Sequence, residues 1–556
     1  YHQQTHQPHL MEAASESIQK ALDVALSRAT GLELLTAAAY SLDPATLQDP
    51  TLGPEMVAQP ARHKGLGLRR VDGFVGHAAY VGGVELVSRR FIDRCAEDGS
   101  LEQGLYPLLE PLFGAGSQDH GNEDQRFEKF TDGSSNLGNH FCASFHALKA
   151  LCPGAEEGPL SMSVVAVRPV RSTDPKLQRD ITMQIEDLRA KNLALRHKGL
   201  NKDDRRRASF DNRLPSTMAF VSTAPTKSSQ VPQALFTGAV ALIMGALDPT
   251  VLAVRGSRIG NTNLRVDLHG DALGAAVLPG DRWRTVHDAF KFQIFLDAKF
   301  LGIAIQKEVY GLFTHFFDLG KRDDYNRLSA REKRTQTIVP DLVTSHHPSD
   351  SVIFANGPQM WELKRVHAVH TFNRTTGLPM GPNEHYRLRQ NGRLVRGADR
   401  RAAKVPSEYE AKARKADEAF GVHGSTAVLG ALRALPRVRG IALGAFGEFS
   451  ESVNLLIEGL AHEGALKNPD KFGQSNYQAA FGLIHWWLKR RWARLAVITA
   501  VEMRYAALGY AGGAAQQQAA AAHAQAQAQD DWRDDGAYRQ REAETAAPFF
   551  GGFMGG

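Results

Sequence analysis

Residues 359–370 read QMWELKRVHAVH. Met360, Trp361, Leu363, Val366, Ala368 and Val369 give this stretch the apolar bulk of a buried strand, yet Glu362 and Lys364 sit two apart at its centre. Side chains alternate faces along a strand, so these two charges point the same way. Upstream, Asp341 follows Pro340 in IVPDLVTS, and proline suits a strand start or edge. The surrounding segments read in order as a helix, three strands, a helix and a fourth strand. DRWRTVHDAFKFQIFLDAKFLG has helical period, with Val286, Phe290, Ile294 and Ala298 on its apolar face. IAIQKEVYGLF, QTIVPDLVTS and MWELKRVHAV are the expected strands. GADRRAAKVPSEYEAKARKADEAF is a basic helix, RVRGIALGAFG the last strand and SESVNLLIEGLAHEG a closing helix. This order predicts a small mixed α/β unit.

An acid on one strand and E-x-K on the next is a donor set suited to hydrolysing phosphodiesters. Asp341 and Glu362 would hold Mg²⁺ or Mn²⁺ through hard oxygen ligands. The ion would polarise the scissile phosphate and acidify a water. Lys364 would orient that water and offset charge at phosphorus, and Glu308, in IQKEVYG, would complete the acidic cluster.

Charge distribution points the same way. The chain has 556 residues and a net charge of +6, weak when spread evenly. It is not spread evenly: residues 168–213 hold 13 Lys/Arg against 7 Asp/Glu, and residues 362–415 hold 13 against 5. Such blocks suit a polyanion, DNA or RNA, although solvated helix faces produce the same count. Arg205, Arg206 and Arg207 in the first block, and Arg400, Arg401, Lys404, Lys412 and Lys415 on the basic helix, are the candidate phosphate contacts.

Other classes recede. No run approaches the length of a membrane-spanning helix, and the polar start, YHQQTHQPHLMEAASESIQ, has no signal-peptide core. Starting at Tyr1 rather than Met is expected of a fragment or processed product. Cys95, Cys142 and Cys152 show no CxxC spacing, which argues against a disulfide framework and for a reducing compartment, nuclear or otherwise intracellular. His367 and His370, three apart on a strand, face opposite sides and make a poor metal pair. His346 and His347 read as loop. HWWLKRRWARL interleaves aromatic and basic residues, a pattern that stacks bases in some proteins and fills helix cores in more.

The expected organisation is a helical region over 1–160, a basic linker and helical region over 161–277, the mixed α/β unit over 278–462, and a helical extension over 463–511. An Ala/Gln/Gly-rich tail over 512–556 is too poor in apolar residues to order itself. Within these, 11–42, 76–95, 139–151, 179–196 and 231–247 read as helices.

Pro340-Asp341 followed by Glu362-Leu363-Lys364, in that element order, resembles the PD-(D/E)xK nuclease superfamily, which has a restriction-endonuclease-like fold. The resemblance extends loosely upstream. HKGLGLRRVDGFVGHAAYVGGVELVSRRFID is similar to the segment after the reverse-transcriptase core in non-LTR retroelement polyproteins, and TVHDAFKFQIFLDAKFLGIAIQKEV to their R-H-[DN] helix and first nuclease strand. Algal and protist open reading frames of this kind also resemble it. The resemblance implies a restriction-endonuclease-like αβββαβ core flanked by helices, Mg²⁺- or Mn²⁺-dependent DNA cleavage, and target-site nicking by a retroelement.

Two departures stand out. The region where such proteins carry a zinc knuckle keeps His269 but no cysteine, so zinc is not expected. Val286 stands where the family's arginine usually precedes His287-Asp288. No YxDD polymerase signature is present. The rival readings are an inactive or domesticated nucleic-acid-binding remnant and a coat-like assembly protein, and the sequence leaves the oligomeric state unknown.

Overall fold

The computed structural model describes residues 8–67, 78, 144, 147–148, 150, 177–201, 203–222, 231–276, 282–344, 359–369, 372–380, 389–390, 393–394 and 396–509. The helices expected over 76–95 and 139–151 fall almost wholly outside these residues, as do the cysteines, His346, His347, His370 and the C-terminal tail. The chain divides into two units, one of Tyr1–Ala29, Glu33–Leu35 and Thr51–Gly199, the other of Thr30–Leu32, Thr36–Pro50 and Leu200–Gly556.

In the first unit, helices α1 (Pro8–Thr30), α2 (Leu52–Ala58) and α3 (Leu177–Gly199) are described. Arg196, in the last turn of α3, donates to Glu55 at 2.6 Å and to Thr51, and so ties α3 to α2.

The second unit opens with helices α4 (Arg205–Asn212), α5 (Gln233–Met244), α6 (Pro249–Leu252) and α7 (Asp271–Ala275). Apolar on almost every side, α5 is buried from Thr237 to Met244 and ends at Gly245, whose φ of +69° suits a residue without Cβ. Among the described residues, no helix is long and apolar enough to cross a membrane.

The mixed α/β architecture expected after residue 278 is present as a small four-stranded sheet. Helix α8 (Arg282–Phe300) leads into β1 (Ile305–Lys307). Helices α9 (Arg322–Arg327) and α10 (Ala330–Gln336) precede β2 (Leu342–Thr344) and β3 (Gln359–Arg365). A two-stranded ribbon, β4 (Arg389–Gln390) and β5 (Arg393–Leu394), precedes α11 (Gly397–Phe420) and α12 (Ala427–Ala434), which lead to β6 (Arg439–Leu443). Helices α13 (Glu451–Lys467) and α14 (Tyr477–Leu508) follow. The strand order is β1-β2-β3-β6, with the first two pairings antiparallel and β3–β6 parallel.

Each expected strand is shorter than its sequence suggested, β1 and β2 most of all. Of IAIQKEVYGLF only Ile305–Lys307 is strand; Glu308 still donates its N–H to Asp341, and its φ of +52° then turns the chain out of the ladder. The stretch before Pro340 is partly helical instead: Ser329 and Glu332 form a reciprocal capping box that starts α10.

Each sheet face has its own cover. On one face, Val343 and Met360 join Val405, Tyr409, Ala413, Ala416 and Phe420 of α11 in a single apolar core. Those α11 residues recur at helical spacing and form the helix's buried stripe. Beneath them Gly440 permits close approach: an added Cβ there would lie 2.6 Å from both Cα and O of Ala402. Trp361 and Leu363 alternate to the other face, where the Trp361 indole donates to Thr344 Oγ1 at 3.2 Å. The apolar face of α8 is buried as its period predicted, with Phe290 edge-on to Trp492 of α14 at 5.8 Å.

Candidate functional site

The sheet register brings the acids together. Leu342 pairs with Trp361 and Lys307 with Leu342, so one further step sets Asp341 opposite Glu362 and Glu308 opposite Asp341. The Glu308 N–H donates to the Asp341 carbonyl at 3.0 Å, which confirms that step of the row.

Asp341 sits where β2 begins, behind a proline that has no N–H to offer. Its carboxylate fills the end of the ladder, accepting the Leu363 N–H at 2.8 Å and facing His287 Nε2 at 3.2 Å. The group is 4% exposed. Burial alone would raise its pKa; the His287 hydrogen bond and charge, the Leu363 N–H and Lys291 outweigh burial and hold it down at about 2. In the same contact burial pulls His287 down, but the bond to Asp341 prevails and its pKa is raised.

Glu362 has both oxygens engaged. Lys364 Nζ donates to Oε1 at 2.6 Å and the Tyr409 hydroxyl to Oε2 at 2.6 Å. Burial, reinforced by the Glu362 charge, pushes the Tyr409 phenol far above its ordinary range, so it stays a donor. One turn further along α11, Lys412 Nζ lies 5.2 Å from the Tyr409 ring. Burial pulls the Lys412 ammonium down, Glu362 opposes this and Lys364 adds to it. Both Tyr409 and Lys412 feel the charges of Glu362 and Asp341, so the two carboxylates, Lys364 and this turn of α11 share one neighbourhood.

Glu308 belongs to the row by backbone register but not by side chain. Its carboxylate is held by Lys291 of α8 at 2.5 Å and Arg334 of α10 at 2.6 Å, which lower its pKa despite burial. Among the described residues, no three His, Cys, Asp or Glu side chains converge around a metal-sized space. The expected three-carboxylate cluster is therefore corrected to a pair, Asp341 and Glu362. Mg²⁺ commonly takes one or two carboxylates from a protein and completes its shell with phosphate and water.

The basic candidates separate. Lys404 and Lys415 on α11 are exposed, and Arg400 and Arg401 are half-buried, with Arg401 paired to Glu408 at 2.7 Å. Arg205, Arg206 and Arg207 do not form a phosphate-binding surface. Arg206 is 1% exposed and donates to Asp204 and to the carbonyls of Gln48 and Asp49. Arg207 is buried against the Leu200 carbonyl, and Arg205 pairs with Asp271 at 2.7 Å while lying over the Phe446 ring. Their cationic heads are used inside the fold. His367 is structural too: burial, with Arg365 and Arg504 nearby, pushes its pKa down to about 3.

Lys291, Arg334 and Tyr409 have no motif around them in the sequence. Lys291 is one turn after His287 on α8, and Tyr409 falls on the apolar stripe of the basic helix; those spacings were the available signal. No protein-family model, curated protein or solved structure matches this chain.

Proposed function

We propose that this chain is a metal-dependent DNA endonuclease of the PD-(D/E)xK kind, with α8, β1, β2, β3, α11 and β6 as its restriction-endonuclease-like core. The observation that carries the reading is the sheet register, which sets Asp341 opposite Glu362 with Lys364 two residues on.

In this reading Asp341 and Glu362 bind Mg²⁺ or Mn²⁺. The bound ion supplies Lewis-acid polarisation of the scissile phosphate. Lys364 orients the attacking water and faces the developing negative charge. His287 keeps Asp341 ionised, and Tyr409 fixes the orientation of Glu362. Lys404 and Lys415, with Arg400 and Arg401 behind them, meet the DNA backbone without reading its sequence. Target-site nicking by a retroelement is the biological setting that suits such a site.

The test is nicking of supercoiled plasmid in Mg²⁺ and in Mn²⁺. The native chain should nick, and Lys364→Ala and Asp341→Ala should not. A folded native chain that nicks in neither metal overturns the reading, and salt-dependent DNA binding without nicking would instead identify a binding remnant.

A further inference from the structure

Two surface loops of the second unit meet and carry charge of one sign. The first, residues 254–266, is a narrow hairpin with an antiparallel bridge between Arg258 and Arg265. Ile259 is buried and pins its turn, and the Gly256 N–H donates to the Val266 carbonyl at 2.8 Å. The second loop follows β3 and is closed by an antiparallel bridge between Phe372 and Pro379. Phe372 packs on a small core of Ala368, Val369, Ala445 and Phe446. The Asn373 side chain accepts the N–H groups of Thr375 and Thr376 at 2.8 and 2.9 Å, which fixes the turn that carries Arg374. The loops are joined, because the Arg265 N–H donates to the Gly377 carbonyl at 3.0 Å. Gly377 has φ +67°, and a Cβ there would overlap the Asn263 carbonyl oxygen, so the two backbones touch.

Arg255, Arg258, Arg265 and Arg374 are exposed on these loops. Residues 249–266 and 372–380 contain no Asp or Glu. Arg258 donates to the Thr262 carbonyl at 2.6 Å and to the Asn263 amide oxygen at 3.2 Å, and Arg265 donates to the Gly256 carbonyl at 2.8 Å. These acceptors are neutral, so they hold the guanidinium groups in place without cancelling their charge. Among the described residues none of the four arginines is ion-paired to a carboxylate. Like charges directly opposite each other on an antiparallel pair are destabilising, and the Arg258–Arg265 bridge sets two of them so. A polyanion bound across the bridge would relieve that repulsion.

We propose that the joined loops bind the phosphate backbone of double-stranded DNA, with Arg258, Arg265 and Arg374 as the phosphate contacts. Positioned guanidinium groups suit phosphate, which they meet through paired N–H donors. Asn261, Asn263, Thr375 and Thr376, exposed beside them, add donors for phosphate and sugar. Neither loop exposes an aromatic ring on which the unstacked bases of a single strand could lie, since Phe372 is packed into the core. The choice of DNA over RNA rests on the nuclease reading. The phosphate contact itself does not, since none of these residues belongs to that site.

The experiment measures fluorescence anisotropy of a labelled DNA duplex on the full chain across a salt series in EDTA, where no metal-dependent cleavage occurs. An RNA duplex and oligo-dT of equal length are the comparison probes, and the DNA duplex should bind most tightly. Arg258→Gln combined with Arg265→Gln should reduce the slope of log affinity against log salt by about 1.8, and Arg374→Gln alone by about 0.9. Arg433→Gln, on α12, removes the same charge from an exposed pair with Glu410 and should leave the slope unchanged. Circular dichroism confirms that each variant is folded. An unchanged slope in the folded double variant, or an equal fall per charge in Arg433→Gln, overturns the proposal. Tighter binding of the RNA duplex or of oligo-dT overturns the choice of DNA duplex. Neither readout depends on cleavage: a chain that never nicks yet loses slope in these variants keeps this surface and loses the nuclease reading.

Discussion

Tyr409 and Lys364 hold opposite oxygens of one carboxylate, each donating to Glu362 at 2.6 Å. The tyrosine arrives from α11 and the lysine from the same strand as the acid, so Glu362 is fixed by two independent parts of the fold. Tyr409→Phe keeps the ring in the α11 stripe and removes only the hydroxyl. Glu362 is 6% exposed, so water replaces that partner poorly. We expect a loss of about 1–3 kcal/mol in denaturant unfolding. Under the proposed function, the Mg²⁺ needed for half-maximal nicking should rise about tenfold, as when an outer partner of a metal ligand is removed. A purely structural tyrosine would lower stability without moving the metal requirement.

The His287–Asp341 contact gives stability a defined pH window. Asp341 has a folded pKa held at about 2, below its ordinary 3.8. Its contribution is therefore present above pH 3.8 and is lost as pH falls toward 2. His287 has a folded pKa raised above its ordinary 6.5. Its contribution is complete below pH 6.5 and is lost as pH rises through the raised value. The pair thus stabilises most between about pH 4 and 6.5. Urea unfolding across pH should show a decline above 6.5 that His287→Gln removes. An alkaline decline of the same size in His287→Gln would mean that another group causes it.

How much of this was legible in the sequence depends on distance along the chain. Helical period exposed the buried face of α8, and the strand pattern found β3 with Glu362 and Lys364 on one side. These are local properties, fixed by side-chain alternation and spacing. Pro340 marked the start of β2, and just after it the Asp341 carboxylate accepts the Leu363 N–H. What could not be read was partnership across the chain. Glu308 looked like a third ligand because it is acidic and near a strand; only the fold shows Lys291 and Arg334 on its carboxylate. DDRRRAS looked like a surface because it is charged, yet Arg206 finds Gln48 and Asp49 carbonyls far away in sequence. A buried guanidinium with a full set of acceptors and a solvated one are spelled alike.

That difference is measurable. Arg206→Met removes the guanidinium that donates to Asp204 and to two backbone carbonyls, and breaking a buried ion pair from one side costs about 3–5 kcal/mol. We expect a large fall in unfolding midpoint. Lys404→Gln and Lys415→Gln alter exposed side chains and should leave that midpoint nearly unchanged. If α11 meets DNA, each should instead reduce the salt slope of duplex binding by about 0.9. Paired thermal melts and salt titrations separate the two classes; a reduced salt slope in Arg206→Met at intact stability would return that arginine to the surface role.

Gly440 connects the packing of α11 to the proposed chemistry. It is the register partner of Glu362 on β6, and the Ala402 backbone of α11 passes directly over it. Tyr409 lies two turns along the same helix face, so the closeness at Gly440 sets the height from which its hydroxyl reaches Glu362. In Gly440→Ala the new Cβ meets backbone at 2.6 Å, which no rotamer change relieves. The helix must lift, at a cost of about 1–3 kcal/mol. A lift of even a few tenths of an ångström stretches a 2.6 Å hydrogen bond. Gly440→Ala should therefore reproduce the raised Mg²⁺ requirement of Tyr409→Phe, and the double variant should raise it little further, because both act through one contact. Fully additive effects on the metal requirement would show that Gly440 and Tyr409 act on the site separately.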